Sequence, residues 1–289
     1  MCKTNGEVKL VLPSRKVSSV PSVRVSVIIP TYESAGVIEK CLKSLKGQSW
    51  LVDEVIVVDG SSRDRTREIA STFGAEVIVT SGTQAAARNV GLANSKGNYV
   101  LFLDSDQQLD SSVVENCVFA CRMGGVEAVM IPEVFVGLNF WGECSALWKN
   151  RMVKAWGRGG GIPRFYRKDT LLESGAFNDR LRFWEDLELY QRLKLAGVKE
   201  GWCNGQIVHY EVDSLSGVVR KYLSYGQSVA EFKGALSKAP YASTFRLTLS
   251  TITQLLKYPG GSFSVFVGCF LVVLLKSMSM VFGFLSRLR

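Results

Sequence analysis

Asn98-Tyr-Val-Leu-Phe-Leu-Asp-Ser-Asp106 is the stretch from which the rest of the chain can be read. A short apolar run rich in aromatic and β-branched residues reads as a buried strand. It stops at two carboxylates one residue apart. Open α/β sheets hold their ligands beyond the C-terminal ends of their strands. Asp104 and Asp106, spaced by two, point the same way on an extended chain. They could therefore share one hard divalent cation, which prefers oxygen ligands, and such a cation can bridge protein carboxylates to a diphosphate. An Asp-Ser-Asp run is also a common surface turn, so the spacing alone leaves both readings open.

Upstream of this stretch, strands and helices alternate. Residues 25–29 read as a strand that stops at Pro30, and Val37, Ile38, Cys41, Leu42 and Leu45 fall at helical spacing. Residues 54–58 form the next strand candidate, ending at Asp59; residues 62–73 read as a helix, 76–79 as a strand and 84–93 as a helix. The alternation predicts an α/β fold with a mostly parallel sheet, flanked by helices and joined by right-handed crossovers. Downstream, residues 125–210 are less regular, with a strand at 161–166, a helix at 186–196 and a strand at 206–209.

The whole chain has 289 residues and a net charge of +9, which favours anionic partners such as nucleotides or an anionic membrane. No basic run interleaved with stacking aromatics and no zinc-finger spacing appears, so a nucleic-acid partner is not expected. The seven cysteines are scattered without a Cys-x-x-Cys, the pattern of a thiol-reduced, cytosolic chain. Residues 1–22 are polar and weakly patterned and are expected to form a mobile tail. Residues 23–212 make the α/β domain.

Beyond it the composition changes. Residues 213–261 carry mainly basic charges, with Phe245, Leu249, Ile252 and Leu256 forming an amphipathic stripe before a Pro259-Gly260-Gly261 break. Residues 262–289 begin with an almost wholly apolar run to Leu285, interrupted by Lys276. As a helix it would reach roughly 36 Å, enough for a hydrocarbon core of about 30 Å. Lys276 near its centre would cost about 3 kcal/mol on insertion scales, offset by the many Leu, Ile, Phe and Val residues around it. The tail is thus expected to span a membrane or lie in its interface; a buried C-terminal helix is the alternative.

Three further places carry candidate chemistry. Asp59 closes a strand and precedes Gly60-Ser-Ser, a turn whose serines could cap the following helix and whose N-terminus favours anions; alone, Asp59 could equally be a turn or capping aspartate. Glu185 and Asp186 open a helix, where acids often only complement the helix dipole. His209, the single histidine, follows a late strand and could be a ligand or a core residue.

Taken in order, these segments resemble glycosyltransferase family 2, the inverting nucleotide-sugar transferases with a GT-A fold. The resemblance covers about residues 24–210. Val25-Ser-Val-Ile-Ile-Pro-Thr-Tyr32 is similar to the family's opening strand, and Glu54-Val-Ile-Val-Val-Asp-Gly-Ser-Ser-Arg-Asp-Arg-Thr66 to its nucleotide-binding strand and turn. Ala87-Arg-Asn-Val-Gly91 and Lys96 to Asp106 resemble its helix and metal motif, and Gly175-Ala-Phe-Asn178 with Glu185-Asp186 its acceptor-side segment. The family commonly has Asn where this chain has Glu33, which is expected to point away from an anionic ligand.

The resemblance implies roles by position. Pro30, Tyr32 and Asp59 would line the nucleotide pocket, and Asp104 would lie near the sugar nucleotide. Asp106 would hold a divalent cation, Mn²⁺ or Mg²⁺, with His209 as a second candidate ligand. Arg88 would approach the diphosphate or pair with a nearby acid. Asp186 would be the general base. The implied activity is metal-dependent, inverting transfer from a nucleotide-diphosphate sugar to a hydroxyl on a lipid-linked or cell-surface glycan. The catalytic domain would sit on the cytoplasmic side of the cell membrane. A polyprenyl-phosphate acceptor and a catalytically silent binding protein are the alternatives. A nucleotidylyltransferase would need a Gly-rich basic loop after the first strand, and a processive synthase a Gln-x-x-Arg-Trp motif; the chain has neither.

Overall fold

The computed structural model describes residues 23–156, 161–212, 214–235 and 262–287. The expected N-terminal tail, the Phe245–Leu256 stripe and the Pro259-Gly260-Gly261 break lie outside these residues.

The first half is the strand–helix alternation read from the sequence. Strand β1 (Val25–Thr31) is followed by α1 (Ile38–Lys46), β2 (Glu54–Asp59), α2 (Thr66–Thr72), β3 (Glu76–Val79), α3 (Gln84–Asn94) and β4 (Tyr99–Phe102). A short strand β5 (Gln107–Leu109) leads to α4 (Val113–Gly124), β6 (Ala128–Met130), β7 (Glu133–Val136) and α5 (Phe140–Trp156). Then come β8 (Pro163–Arg167), α6 (Lys168–Glu173), α7 (Glu185–Leu195), β9 (Glu200–Trp202), β10 (Ile207–Tyr210), α8 (Leu215–Ala235) and α9 (Phe263–Ser286).

Seven strands form one sheet in the order β3-β2-β1-β4-β8-β6-β9, with β5-β10-β7 as a second, smaller sheet. Strands β3, β2, β1 and β4 are mutually parallel, whereas β8 runs antiparallel to both its neighbours. The order reverses between β1 and β4, so the C-terminal ends of β1, β2 and β4 frame the crevice where such sheets bind ligands. Strand β1 is buried along its whole length, as a strand covered on both faces must be. Its side chains alternate: Val25, Val27 and Ile29 enter the core shared with α1 and α4, while Ile28 enters the core shared with α3 and α7. Gly91 lets α3 lie directly on β1, because a Cβ there would collide with the Ile28 side chain.

Two expectations change. β1 continues through Pro30 to Thr31, since Pro30 lies past the last β4 partner of β1, Ile28↔Phe102, where its missing N–H interrupts no pairing. Helix α2 begins at Thr66 rather than residue 62: Ser61 is left-handed (φ 67°), and Ser62 binds Asp59 instead of capping the helix.

The C-terminal helix passes the length and composition test for a bilayer span, yet one face of it is packed on protein. Helix α9 packs against α8 and α5. Cys144 of α5, Val218 of α8 and Val272 of α9 share a small core with Trp141, Tyr222 and Val265. Lys276, expected to interrupt the apolar run at a cost, is 3% exposed. Its Nζ donates to the Ser145 hydroxyl at 2.8 Å and lies over the rings of Trp148 and Tyr222.

Candidate active site

The ends of β1 and β2 are stitched by Asp59. In register with Thr31 across the sheet, Asp59 accepts from the Thr31 hydroxyl at 3.1 Å, the Ser62 hydroxyl at 2.6 Å and the Ser62 backbone N–H at 2.8 Å. It is fully buried, so its carboxylate shapes the turn beneath the crevice and does not open into it. The Gly60 N–H donates to the Thr31 carbonyl at 2.8 Å, and the Tyr32 ring rests against Gly60. Tyr32 is 67% exposed, a free aromatic face at the mouth of the crevice, with Pro30 buried below it. The Glu33 carboxylate is turned onto the adjacent loop, where it accepts the Arg63 N–H at 2.9 Å.

Asp104, Ser105 and Asp106 form the tight turn from β4 into β5, closed by the Gln107 N–H on the Asp104 carbonyl at 3.1 Å. The chain therefore is not extended there, and the two carboxylates take different partners. Asp104 accepts from Arg88 at 2.9 Å, Gln84 at 3.1 Å and Arg164 at 3.2 Å. Burial would raise this carboxyl, but the Arg164 and Arg88 guanidinium groups outweigh it and hold it well below the ordinary range. Asp106, with a third of its side chain exposed, faces His209 Nε2 at 3.4 Å.

Each partner leads to another. Arg88, 3% exposed, also binds Glu185 at the start of α7; of its two expected roles, the structure places it on acids. Arg164 on β8 also binds Glu133 at 2.6 Å, and Glu133 accepts from His209 Nδ1 at 3.1 Å. Glu185, Arg88, Asp104, Arg164, Glu133, His209 and Asp106 thus form one chain of alternating charge that crosses from the large sheet to the small one. Its electrostatics follow from that order. Burial would lower the His209 imidazole, but Asp106 and Glu133 raise it to about 9. Burial would raise Glu133, but Arg164 and His209 hold it at about 2. Burial pushes Glu185 up to about 7 against the pull of Arg88, with Asp186 and Asp104 adding repulsion.

Asp186 sits in the first turn of α7. Together with Arg88, Phe102, Ile162, Arg164 and Tyr166 it lines a cleft beside this chain of charges, and its carboxylate accepts the Leu187 N–H at 2.7 Å. The preceding Trp184 is left-handed (φ 70°), which turns the backbone into α7 and sets the direction of Glu185 and Asp186. Arg164 and Glu133 escaped sequence reasoning. Arg164 lies on an expected strand but in no recognisable motif, and Glu133 lies in the stretch without clear periodicity.

Among the described residues no three His, Cys, Asp or Glu side chains converge as a metal cluster. Asp106 and His209 nevertheless fit as a partial site. Their facing atoms are 3.4 Å apart, and the far nitrogen of His209 lies 3.1 Å from the Glu133 carboxylate, the support that metal-ligating imidazoles use, and 3.2 Å from the Gln107 side-chain amide. Asp104, closed by two guanidinium groups, does not fit as a ligand.

The model of the family described as Glycosyl transferase family 2 matches residues 26–172. Glycosyltransferase AglE of Haloferax volcanii is 38% identical over 114 residues, covering 36% of this chain and 38% of AglE. The chain spans between 14% and 61% of the length of curated relatives such as this one. Among solved structures, the mannosyltransferase PcManGT of Pyrobaculum calidifontis, in complex with GDP-Man and Mn²⁺, aligns with a TM-score of 0.59 at 19% identity, covering 92% of this chain and 87% of that one. Glucosyl-3-phosphoglycerate synthase of Mycobacterium tuberculosis, in complex with Mn²⁺, UDP and phosphoglyceric acid, aligns with a TM-score of 0.54 at 20% identity, covering 76% and 80%. The fold they share with this chain is GT-A.

Proposed function

The chain belongs to glycosyl transferase family 2, and from that membership we propose that it moves a sugar, with inversion, from a nucleotide-diphosphate sugar to an acceptor hydroxyl. The observation that carries the proposal is the alternating chain from Glu185 to Asp106. It joins the strand-end residues of the β1–β4 crevice to the cleft that holds Asp186.

Each residue then has a task. Tyr32 and the Gly60 turn receive the nucleotide, with Asp59 and Pro30 fixing their backbone from below. Arg88 and Arg164 hold Asp104 ionised and oriented, so that it can accept hydrogen bonds from ribose or sugar hydroxyls. Asp106 and His209 would hold a divalent cation, Mn²⁺ or Mg²⁺. Bound there, the cation would neutralise charge developing on the diphosphate leaving group. The Mn²⁺ recorded with PcManGT and with the phosphoglycerate synthase supports that choice. Asp186 takes the proton from the acceptor hydroxyl as its oxygen attacks the anomeric carbon opposite the diphosphate; attack from that face inverts the configuration. Alignment of the two substrates and exclusion of water supply the rest.

The acceptor is a glycan, lipid-linked or at the cell surface, and the catalytic domain works on the cytoplasmic side of the membrane, where nucleotide-sugars are made. Helix α9, apolar over most of its length, supports membrane attachment. Incubation with a panel of nucleotide-sugars should show release of nucleoside diphosphate that depends on Mn²⁺ or Mg²⁺ and accelerates with glycan acceptor. Absence of metal-dependent release from every donor would remove the proposal.

A further inference from the structure

We propose that α9 lies in the plane of an anionic lipid surface, held from behind by the catalytic domain, and does not cross the bilayer. This deepens the membrane attachment given above and rests on it.

The outward face of α9 is one apolar stripe. Val267, Leu271, Leu274, Met278, Val281 and Leu285 are each 44–57% exposed and follow one another by four or three residues over the length of the helix. The inward face is built differently. Gly268, Cys269, Val272, Lys276, Ser279 and Gly283 are buried. Gly226 of α8 and Gly283 of α9 bring the two backbones together: a Cβ on either would collide with the opposite main chain, at Met280 and at Leu223. Lys276 then closes the contact, its ammonium bound to Ser145, which itself donates to Glu211 at 2.5 Å. A polar lock of this kind fixes which side of α9 faces outward.

A spanning helix would have to leave this seat or take α5 and α8 with it. Leaving exposes Lys276 and the two glycine contacts. Immersion brings Lys149, Arg151 and Lys154 of α5 and Arg220 and Lys221 of α8 into hydrocarbon. Lying flat requires neither, since only the outward stripe meets lipid.

Charge identifies the occupant. Apart from Lys276, which is closed inside the lock, residues 213–289 contain eight Lys and Arg against two Asp and Glu, a net +6 within the whole chain's +9. α9 itself has no acidic residue. A second copy of the same surface would meet it with like charge, whereas anionic headgroups complement it.

Two measurements on the full-length chain test this. The first uses sealed vesicles of phosphatidylglycerol and phosphatidylcholine, with the protein added from outside and a peptide tag after Arg289. Protease should remove the tag completely, from the same side as the catalytic domain; a protected tag means a spanning helix and overturns the proposal. The second is the double substitution Leu274→Glu with Met278→Glu. It should weaken vesicle binding by about tenfold or more, the worth of roughly one buried leucine, and leave donor turnover in detergent-free buffer unchanged. Undiminished binding of the double variant overturns the proposal. So does a wild-type chain that ignores vesicles and forms a dimer which the substitutions disrupt. Donor turnover without vesicles reads the glycosyltransferase proposal separately, so the two fail independently.

Discussion

Two buried ion clusters hang from neighbouring residues of one strand end. His209 on β10 joins the chain of charges from Glu185 to Asp106, and Glu211, two residues later, accepts from Ser145 and pairs with Lys149 beside Lys276. The first cluster alternates seven charges and leaves Asp106 partly open to solvent. The second is closed: Glu211 is 8% exposed and Lys276 3%. A buried, hydrogen-bonded charge network is weak evidence of stability by itself, because desolvation offsets much of the attraction. Its partners decide what it does. An open end with a ligand-competent pair suits chemistry, and a closed one suits fixing an element in place. Opposite responses to substitution should separate the two.

The largest effect is expected at the open end. Asp106→Ala should abolish transfer without changing thermal stability, since it removes the carboxylate that faces both solvent and His209. Full activity of the variant, or undiminished wild-type activity in excess chelator, would erase the distinction between the clusters. Next is Asp186→Asn, expected to lose about 10²–10⁴-fold in transfer with donor binding preserved, the usual size of a lost general base. A mild loss instead would point to an acceptor that is already ionised, such as a polyprenyl phosphate.

The clusters also differ in how legible they were. Strands β1 to β4 and their intervening helices are each marked by apolar periodicity and a clean stop, so the sheet and the positions of Asp59, Asp104 and Asp106 could be read directly. Side-chain direction could not. A spacing of two places carboxylates together only on extended chain, and residues 104–106 form a turn. Arg164 and Glu133, the middle links, lie on short strands of five and four residues, respectively, and meet only when the two sheets assemble. The second cluster was invisible for a related reason. Lys276 in an apolar run reads as an interruption of a membrane span, and nothing local announces that Ser145 and Glu211, more than sixty residues away, will receive it.

At the closed end, Glu211→Ala should cost about 3–5 kcal/mol of stability, because Lys149 and Lys276 would remain buried without their nearest acid. Donor turnover per folded molecule should hardly change. The pH dependence has a definite sign. Burial would raise the Glu211 carboxyl, but Lys149, Lys221 and Lys276 hold it at about 2, below its ordinary 4.5. Its contribution is therefore present above about pH 4.5 and lost as pH falls toward 2. Acid titrations of wild type and Glu211→Gln should converge in that window; parallel curves would place the stabilisation elsewhere. Immersing α5 and α8 with α9 would cost about 2.5–3.5 kcal/mol for each deeply placed Lys or Arg, far more than a lock of this size can support.

His209 gives a smaller effect with the opposite readout. Its imidazole is raised to about 9 by Asp106 and Glu133, against burial. A divalent cation ligated by that nitrogen competes with the proton it carries. Mn²⁺ affinity of the donor-free chain, followed by calorimetry, should rise with pH between 6 and 9 and lose that slope in His209→Ala. A flat profile in the wild type would take His209 out of the metal site and leave it as a bridge within the ion chain.

The smallest expected effect lies where the two regions touch. Tyr225 of α8, the helix on which α9 rests, has its ring centroid 4.6 Å from that of Phe183 and 5.3 Å from that of Trp184. Trp184 is the left-handed residue that turns the backbone into α7, two positions before Asp186. Loss of the Tyr225 ring therefore removes a wall from the loop that leads into Asp186, the base under the proposed function. Misplacement by about 1 Å can cost up to about 10²-fold, and Trp184 keeps its own backbone constraint, so Tyr225→Ala is expected to lower kcat by roughly tenfold. Donor KM should stay within experimental error, because Tyr32 and the Gly60 turn are untouched. Tyr225→Phe keeps the ring and should restore kcat. Equal losses in Ala and Phe variants would mean that the hydroxyl acts and not the packing. No loss in either would mean that α8 and the loop leading into α7 share a surface without sharing a task.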